Sequence, residues 1–206
     1  MITTISIILA YILGSIPSSV WLGKLVKGID VRDHGSGNAG ATNSFRVLGA
    51  GVAIPVLVID ILKGFFATQL VYLHYLSPAF ESMGLEAKLL LGIAAVAGHI
   101  FPFLAGFRGG KGIATFFGVV IGVHPASALI SLALFLLIVL ITRYVSLGSV
   151  IGAILYPIQI IWIFNIAETF VVIFSLLIPV IVVVTHLKNI QRLLNGQENK
   201  LNFEKK

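Results

Sequence analysis

Cysteine is missing altogether from the 206 residues, which removes thiolate catalysis, cysteine-held metals and disulfides from consideration. Charge is scarce as well: only 11% of residues are Asp, Glu, Lys or Arg, against roughly 25% in a soluble domain. The acidic sign is the rarer, eight residues against fourteen basic, and the aspartates are too dispersed for a carboxylate metal site. What fills the chain instead is apolar. Hydrophobic residues make up 58% and the mean hydropathy is +1.05. A soluble core of this size has no room for so many apolar side chains, so lipid must solvate much of the surface. The net charge of +6 then reads as membrane orientation rather than nucleic-acid binding. The first apolar run is read as a retained helix, not a cleaved leader. Residues 1–4 carry no Lys or Arg, and the run passes Gly14 and Pro17 to Leu25 without a convincing cleavage site.

A membrane helix needs about 20 apolar residues. The candidate spans are 2–25, 51–75, 86–107, 112–123, 125–143, 146–164 and 168–186. The stretch from Gly112 to Arg143 is too long for one helix and slightly short for two. Pro125 is the expected break, because proline lacks a donor and clashes with the preceding turn. With the break there are seven spans, the fourth short; without it there are six. Seven spans with the N-terminus outside gather Lys24, Lys27, Arg32, Arg46, Arg108, Lys111, Arg143, Lys188, Arg192, Lys200, Lys205 and Lys206 on the cytoplasmic side, twelve of the fourteen basic residues. Glu81, Glu86, Glu168 and Lys88 fall outside. That is a positive-inside pattern, and it favours seven. The expected fold is an all-α polytopic membrane bundle, one integral domain over 1–206, with 187–206 a cytoplasmic tail.

Ionisable residues within spans are costly and are functional or paired. Asp60 and Lys63, three apart on one helix face, read as an ion pair facing the bundle; the sharper reading is that Lys63 adds positive potential to a site. His99 and His186 stand near cytoplasmic span ends, as packing residues or as chemistry. His34 lies in a loop and fits either role, whereas His74 and His124 fall on the outer side with no chemistry expected.

Three polar segments share the cytoplasmic side. The first, Asp33 to Arg46, contains G-x-G-x-x-G at Gly35, Gly37 and Gly40. It follows a membrane helix rather than a strand, so a dinucleotide fold is not implied. Its glycines let backbone amides converge on an anion. Ser36, Asn38, Thr42 and Asn43 add neutral donors, and Arg46 adds a forked cation suited to phosphate. The second, Phe107 to Thr115, is not a Walker A loop, since Ala105 stands where the first glycine belongs. It still combines Gly109, Gly110 and Gly112 with Arg108, Lys111 and a following helix N-terminus. The plainer reading is a tight turn with two positive-inside residues. The third runs from His186 through Asn189 to Glu198, with His186 and Asn189 three apart; an amphipathic helix on anionic lipid is its plainer reading. Arg143, Ser146 and Ser149 add a further polar group.

No H-x-x-x-x-D follows any of the five histidines, so the acyl-CoA-dependent phospholipid acyltransferase signature is missing. Nothing suggests a charge relay of serine, histidine and aspartate. The residues by themselves describe a metal-free membrane protein that binds one or two phosphate-like anions at the cytoplasmic surface. A transporter for a phosphorylated solute or a lipid-binding scaffold would share part of that description. A transporter, however, would show repeats and a midplane site; no repeat is found.

These segments carry a resemblance. Gly14-Ser15-Ile16-Pro17-Ser18, Gly35 to Asn43 with Arg46, Asp60 and Lys63, Gly98-His99-Ile100-Phe101-Pro102, Gly109 to Thr115, and His186 to Ile190 with Arg192, Leu193 and Gly196 occur in order over nearly the whole chain. The chain resembles the bacterial acyl-phosphate:glycerol-3-phosphate acyltransferase family, with no departure in the motif cores. The resemblance implies transfer of a fatty acyl group from acyl phosphate to the 1-hydroxyl of glycerol 3-phosphate, giving lysophosphatidic acid and phosphate. It implies the bacterial inner membrane as location, a site facing the cytoplasm, no cofactor or metal, no nucleic acid and no obligatory protein partner. The candidate catalytic residues are Ser36, Arg46, Lys111, His186 and Asn189. The candidate phosphate-binding residues are Gly37, Asn38, Gly40, Ala41, Thr42, Asn43, Gly109, Gly110, Gly112 and Ser146. The acceptor proton goes to His186 or to the donor's own phosphate, and Ser36 as an acylated nucleophile is a third route.

Overall fold

The computed structural model describes residues 2–75 and 84–201. Met1, Glu81, Lys205 and Lys206, which enter the leader and charge readings, lie outside the described residues. Among the described residues the fold is all-helical, as expected, with nine α-helices: α1 Ile2–Gly14, α2 Ser18–Lys27, α3 Ala41–Leu48, α4 Ala50–Gln69, α5 Leu85–Ile100, α6 Ile113–Val123, α7 Pro125–Thr142, α8 Val145–Ile158 and α9 Thr169–Leu194. Six stretches are long and apolar enough to cross a membrane; α6 is a shorter apolar helix. Its 11 residues rise about 16 Å, half of a bilayer core. The expected break before Pro125 is present. Pro125 stands at the first turn of α7, and the Nδ1 of His124 caps that turn by accepting from Ser127 N at 3.2 Å.

Three boundaries differ from the sequence reading, the third span, read as 86–107, leaving its α-helix at Ile100 ahead of Pro102. The first span is two helices, because Pro17 forces the residues before it out of the helical region; α1 ends at Gly14 and α2 begins at Ser18. The last helix does not stop at His186. Residues 187–194 are mostly strong helix formers, so α9 continues to Leu194 and ends at Asn195 and Gly196, the latter at φ +68°. The expected tail is therefore helical in its first part. Beyond it the chain folds back: Leu201 N donates to Arg143 O at 2.7 Å, and the Lys200 ammonium lies 5.4 Å from the centre of the Tyr144 ring.

The chain divides into two compact units, Met1–Val123 and His124–Lys206. In the first, α4 packs on α6 and α1 on α5. Small residues set these distances, as membrane packing favours. A Cβ at Gly118 would collide with Ile61 O, and one at Gly98 with Tyr11 O. An apolar cluster of Val20, Val31, Ala39, Leu48, Val52 and Val56 anchors both ends of the first polar loop between α2, α3 and α4. In the second unit, α8 packs on both α7 and α9.

Candidate functional site

The first polar segment begins with a clamp. The Asp30 carboxylate accepts from Arg32 N at 3.0 Å and takes Arg32 Nε and Nη2 as a fork at 2.9 and 2.8 Å. The hydrogen bonds from Arg32 hold the Asp30 carboxyl down at about 2, against an upward push from burial. From the same guanidinium, Nη1 donates to Ala105 O at 2.7 Å and Arg108 O at 3.2 Å. Arg32 thus ties the first polar segment to the second.

The stretch read as one loop to Arg46 is a loop only to Gly40. From Ala41 it is α3, with Arg46 in its last turn and no side chain capping its start. The first-turn amides of a helix have no intrahelical acceptor, and that end favours anions. Ser36 and Gly37 are exposed at the crown of the loop; Asn38, Gly40, Ala41, Thr42 and Arg46 are half-buried. Asn43 is different. It is 2% exposed, its Oδ1 accepts from Ser36 N at 2.8 Å, and its Nδ2 donates to Val31 O and His34 O at 2.9 and 3.1 Å. The amide is committed to the loop's shape, which sets Ser36. Gly35, at φ +62°, passes so close that a Cβ would meet Asn43 Oδ1.

In the second segment, Pro102 ends α5, and the chain turns back on the helix end. Gly109 N donates to Ile100 O at 3.2 Å and Gly110 N to His99 O at 3.1 Å. These two amides are engaged within the fold, unlike the donors of an open anion nest. Gly112, at φ +83°, leads into α6, and Lys111 before it is half-buried. A small cavity joins the two segments to the spans. It is lined by Ala39 of the first, Gly109 and Gly110 of the second, and Asp60, Lys63 and His99 of the helices. The expected pair is there: Lys63 Nζ lies 2.9 Å from Asp60 Oδ1, both side chains almost fully buried.

In the second unit two of the candidate residues, Ser146 and Asn189, converge with Arg192 on a carboxylate that the sequence reading did not single out. Glu198 Oε1 accepts from Ser146 Oγ at 2.8 Å and Asn189 Nδ2 at 2.6 Å, while Oε2 accepts from Arg192 Nε at 2.7 Å. Burial pushes the Glu198 carboxyl up, but the hydrogen bonds from Arg192, Asn189 and Ser146 outweigh it and leave it below the ordinary value. His186 is buried, with Nδ1 2.8 Å from Val182 O. A carbonyl only accepts, so Nδ1 carries the proton and Nε2 of a neutral ring is the acceptor.

Comparison with known proteins now decides the family. The family model described as glycerol-3-phosphate acyltransferase matches residues 4–196. A glycerol-3-phosphate acyltransferase of Chlorobaculum tepidum is 42% identical, covering 100% of both chains. One of Fusobacterium nucleatum subsp. nucleatum is 44% identical, over 96% of this chain and 97% of its own. The chain belongs to the glycerol-3-phosphate acyltransferase family. The fold agrees as well. The crystal structure of PlsY (YgiH), an integral membrane glycerol 3-phosphate acyltransferase, in its glycerol 3-phosphate form superposes with a TM-score of 0.86 at 37% identity, covering 97% of this chain and 96% of that one. Its lysophosphatidic acid form gives 0.83 at 36% identity, covering 97% and 95%. In this member of the glycerol-3-phosphate acyltransferase family, Ser36, Arg46 and Lys111 belong to the first unit, and Ser146, His186 and Asn189 to the second. Among the described residues, no three His, Asp or Glu side chains stand together as metal ligands. Arg32 and Glu198 organise the candidate residues, and neither was marked from sequence. Their one signal was position, beside a glycine segment in one case and at the end of the His186–Asn189 segment in the other.

Proposed function

We propose that this member of the family transfers a fatty acyl group from an acyl phosphate to the 1-hydroxyl of glycerol 3-phosphate, releasing lysophosphatidic acid and inorganic phosphate. The bacterial plasma membrane is the proposed location, with the N-terminus outside and the reaction at the cytoplasmic face. The observation that carries this reading is the full-length likeness to an enzyme structure captured in a glycerol 3-phosphate form and a lysophosphatidic acid form. The acyl-phosphate donor is what the resemblance of the motifs implies, and the residues are compatible with it. Such a donor is a mixed anhydride whose phosphate leaves without a strong acid, which suits cations and amides such as Arg46, Lys111 and the glycine segments.

In the reaction, the acceptor hydroxyl oxygen attacks the acyl carbonyl carbon. A carbon–oxygen ester bond forms, the bond from that carbon to the phosphate oxygen breaks, and phosphate leaves with the electron pair. The work required of the protein is to hold two anions together and to stabilise the developing charge. Arg46 and Lys111 serve as the charge clamps. The loop from Ser36, with Gly37, Asn38, Gly40, Ala41 and Thr42, cradles phosphate through its crown and the first turn of α3; Asn43 keeps that loop in shape. Gly109, Gly110 and Gly112 set the backbone that carries Lys111. His186 and Asn189 orient glycerol 3-phosphate, with Ser146 and Glu198 fixing the Asn189 amide. The proton of the hydroxyl goes to the departing phosphate or to His186 Nε2.

The test follows labelled glycerol 3-phosphate into lipid. Purified protein in micelles is expected to make labelled lysophosphatidic acid with palmitoyl phosphate and none with palmitoyl-CoA. Product with palmitoyl-CoA alone would overturn the donor assignment.

A further inference from the structure

The Asp60–Lys63 ion pair and His99 beside it form a buried polar cluster inside the first unit that the proposed reaction does not use. They are 1%, 5% and 6% exposed. Asp60 Oδ1 is the centre: Ser18 Oγ donates to it at 2.7 Å, Lys63 Nζ stands 2.9 Å away and His99 Nδ1 3.6 Å away. Lys63 Nζ also donates to Ile16 O at 3.1 Å, a carbonyl released by the break at Pro17. A buried ion pair of this kind contributes little net stability, and apolar side chains would fill the space at less cost. Its position suggests another use.

The ring of His99 lies between this cluster and the second glycine segment. Its Nδ1 faces Asp60 Oδ1 at 3.6 Å, a close polar contact rather than a hydrogen bond. Its Nε2 faces Gly110 so closely that a Cβ on that residue would overlap it. The backbone of His99 meets the same residue, through Gly110 N to His99 O at 3.1 Å. The first segment is attached nearby: Ala39 O accepts from Ser19 Oγ at 2.9 Å and stands 3.2 Å from the Cβ position of Gly110. One imidazole therefore fixes the place of Gly109-Gly110, and Lys111 is the next residue.

We propose that Asp60, Lys63 and His99 are positioning residues: they lock the His99 ring against Gly110 and so set Lys111 where a substrate phosphate meets it. The proposal rests on the acyl-transfer reading for its effect on rate, but not for its effect on the loop. Two variants test it. His99→Gln removes the ring. Asp60→Asn with Lys63→Met removes both charges together, so that no unpaired charge is left buried; it serves if His99→Gln fails to fold.

Two readouts are needed. Hydrogen exchange by mass spectrometry is expected to rise about tenfold or more in the peptide holding Gly109 and Gly110, with α1 and α4 unchanged. In acyl transfer, KM for a phosphate-bearing substrate is expected to rise roughly tenfold, with the shape of the pH–rate profile retained. Unchanged exchange at Gly109 and Gly110 overturns the proposal whether or not the protein is active. Looser exchange with unchanged KM overturns the link to Lys111, and loss of one limb of the pH profile makes His99 a proton-transfer group instead. A wild type that transfers no acyl group would sink the proposed reaction, and the exchange result would still decide the positioning.

Discussion

At the scale of single residues, the polar side chains sort into those proposed to meet a substrate and those that hold others in place. Asn43 and Glu198 belong to the second kind. Asn43 reads in the sequence as one more neutral donor in a polar loop, and only the fold shows its amide filled by Ser36, Val31 and His34. Glu198 was unread because its partners, Ser146, Asn189 and Arg192, meet it only after the chain folds back past Gly196. No local spacing encodes that closure. A hydrogen bond to a charged group contributes roughly 1.5–3 kcal/mol. Replacing Glu198 by Ala leaves three donors without their acceptor, and a loss of about 3 kcal/mol in detergent unfolding is expected, with activity falling alongside. Glu198 is held below its ordinary value in the folded state. Its contribution is therefore complete above the ordinary carboxylate range and fades as pH falls through the lowered value. A pH–stability curve should show an acid-side loss in the wild type that is absent in Glu198→Gln; identical acid limbs would refute this account of the fold-back.

Among the elements, the breaks at Pro17 and Pro102 went unread, because the sequence reading carried the first and third spans past both prolines. The break at Pro125 was legible, because proline acts locally and its effect there needs no tertiary information. Two elements were not. Helix α3 is eight residues long, too short to stand alone in water, and it exists because Leu48 packs with Val52 and Val56. The length of α9 was hidden by the drop in hydropathy after His186, which signals the end of an apolar stretch and not the end of a helix. The link between the two glycine segments was equally hidden, since Arg32 lies far in sequence from the carbonyls of Ala105 and Arg108 that it reaches. Lysine keeps that charge but not the planar fork. Arg32→Lys is therefore expected to keep the fold and to lose roughly tenfold in kcat/KM. Because Asp30 sits at about 2 in place of 3.8, the clamp is complete above pH 4 and is lost as pH falls toward 2. Wild-type kinetics in Arg32→Lys would show that the two segments hold their places without it.

For the whole molecule, composition makes lipid the solvent, and the positive-inside pattern predicts an orientation. The lack of cysteine makes the orientation directly measurable. Single cysteines in place of Lys27 and Glu168, both exposed, are expected to react with an impermeant maleimide from opposite sides of right-side-out vesicles, Glu168→Cys from outside. Labelling of both from one side would contradict the proposed seven-span topology, and labelling of Lys27→Cys alone from outside would reverse it. The central claim is that the cations beside the glycine segments bring two phosphate-bearing substrates together for acyl transfer. The most direct measurement is phosphate release by purified wild type and Arg46→Ala, given palmitoyl phosphate with and without glycerol 3-phosphate. The account predicts release that requires the acceptor and falls by about a hundredfold or more in the variant, with its unfolding unchanged. Acceptor-independent release, or an Arg46→Ala variant as fast as wild type, would contradict it.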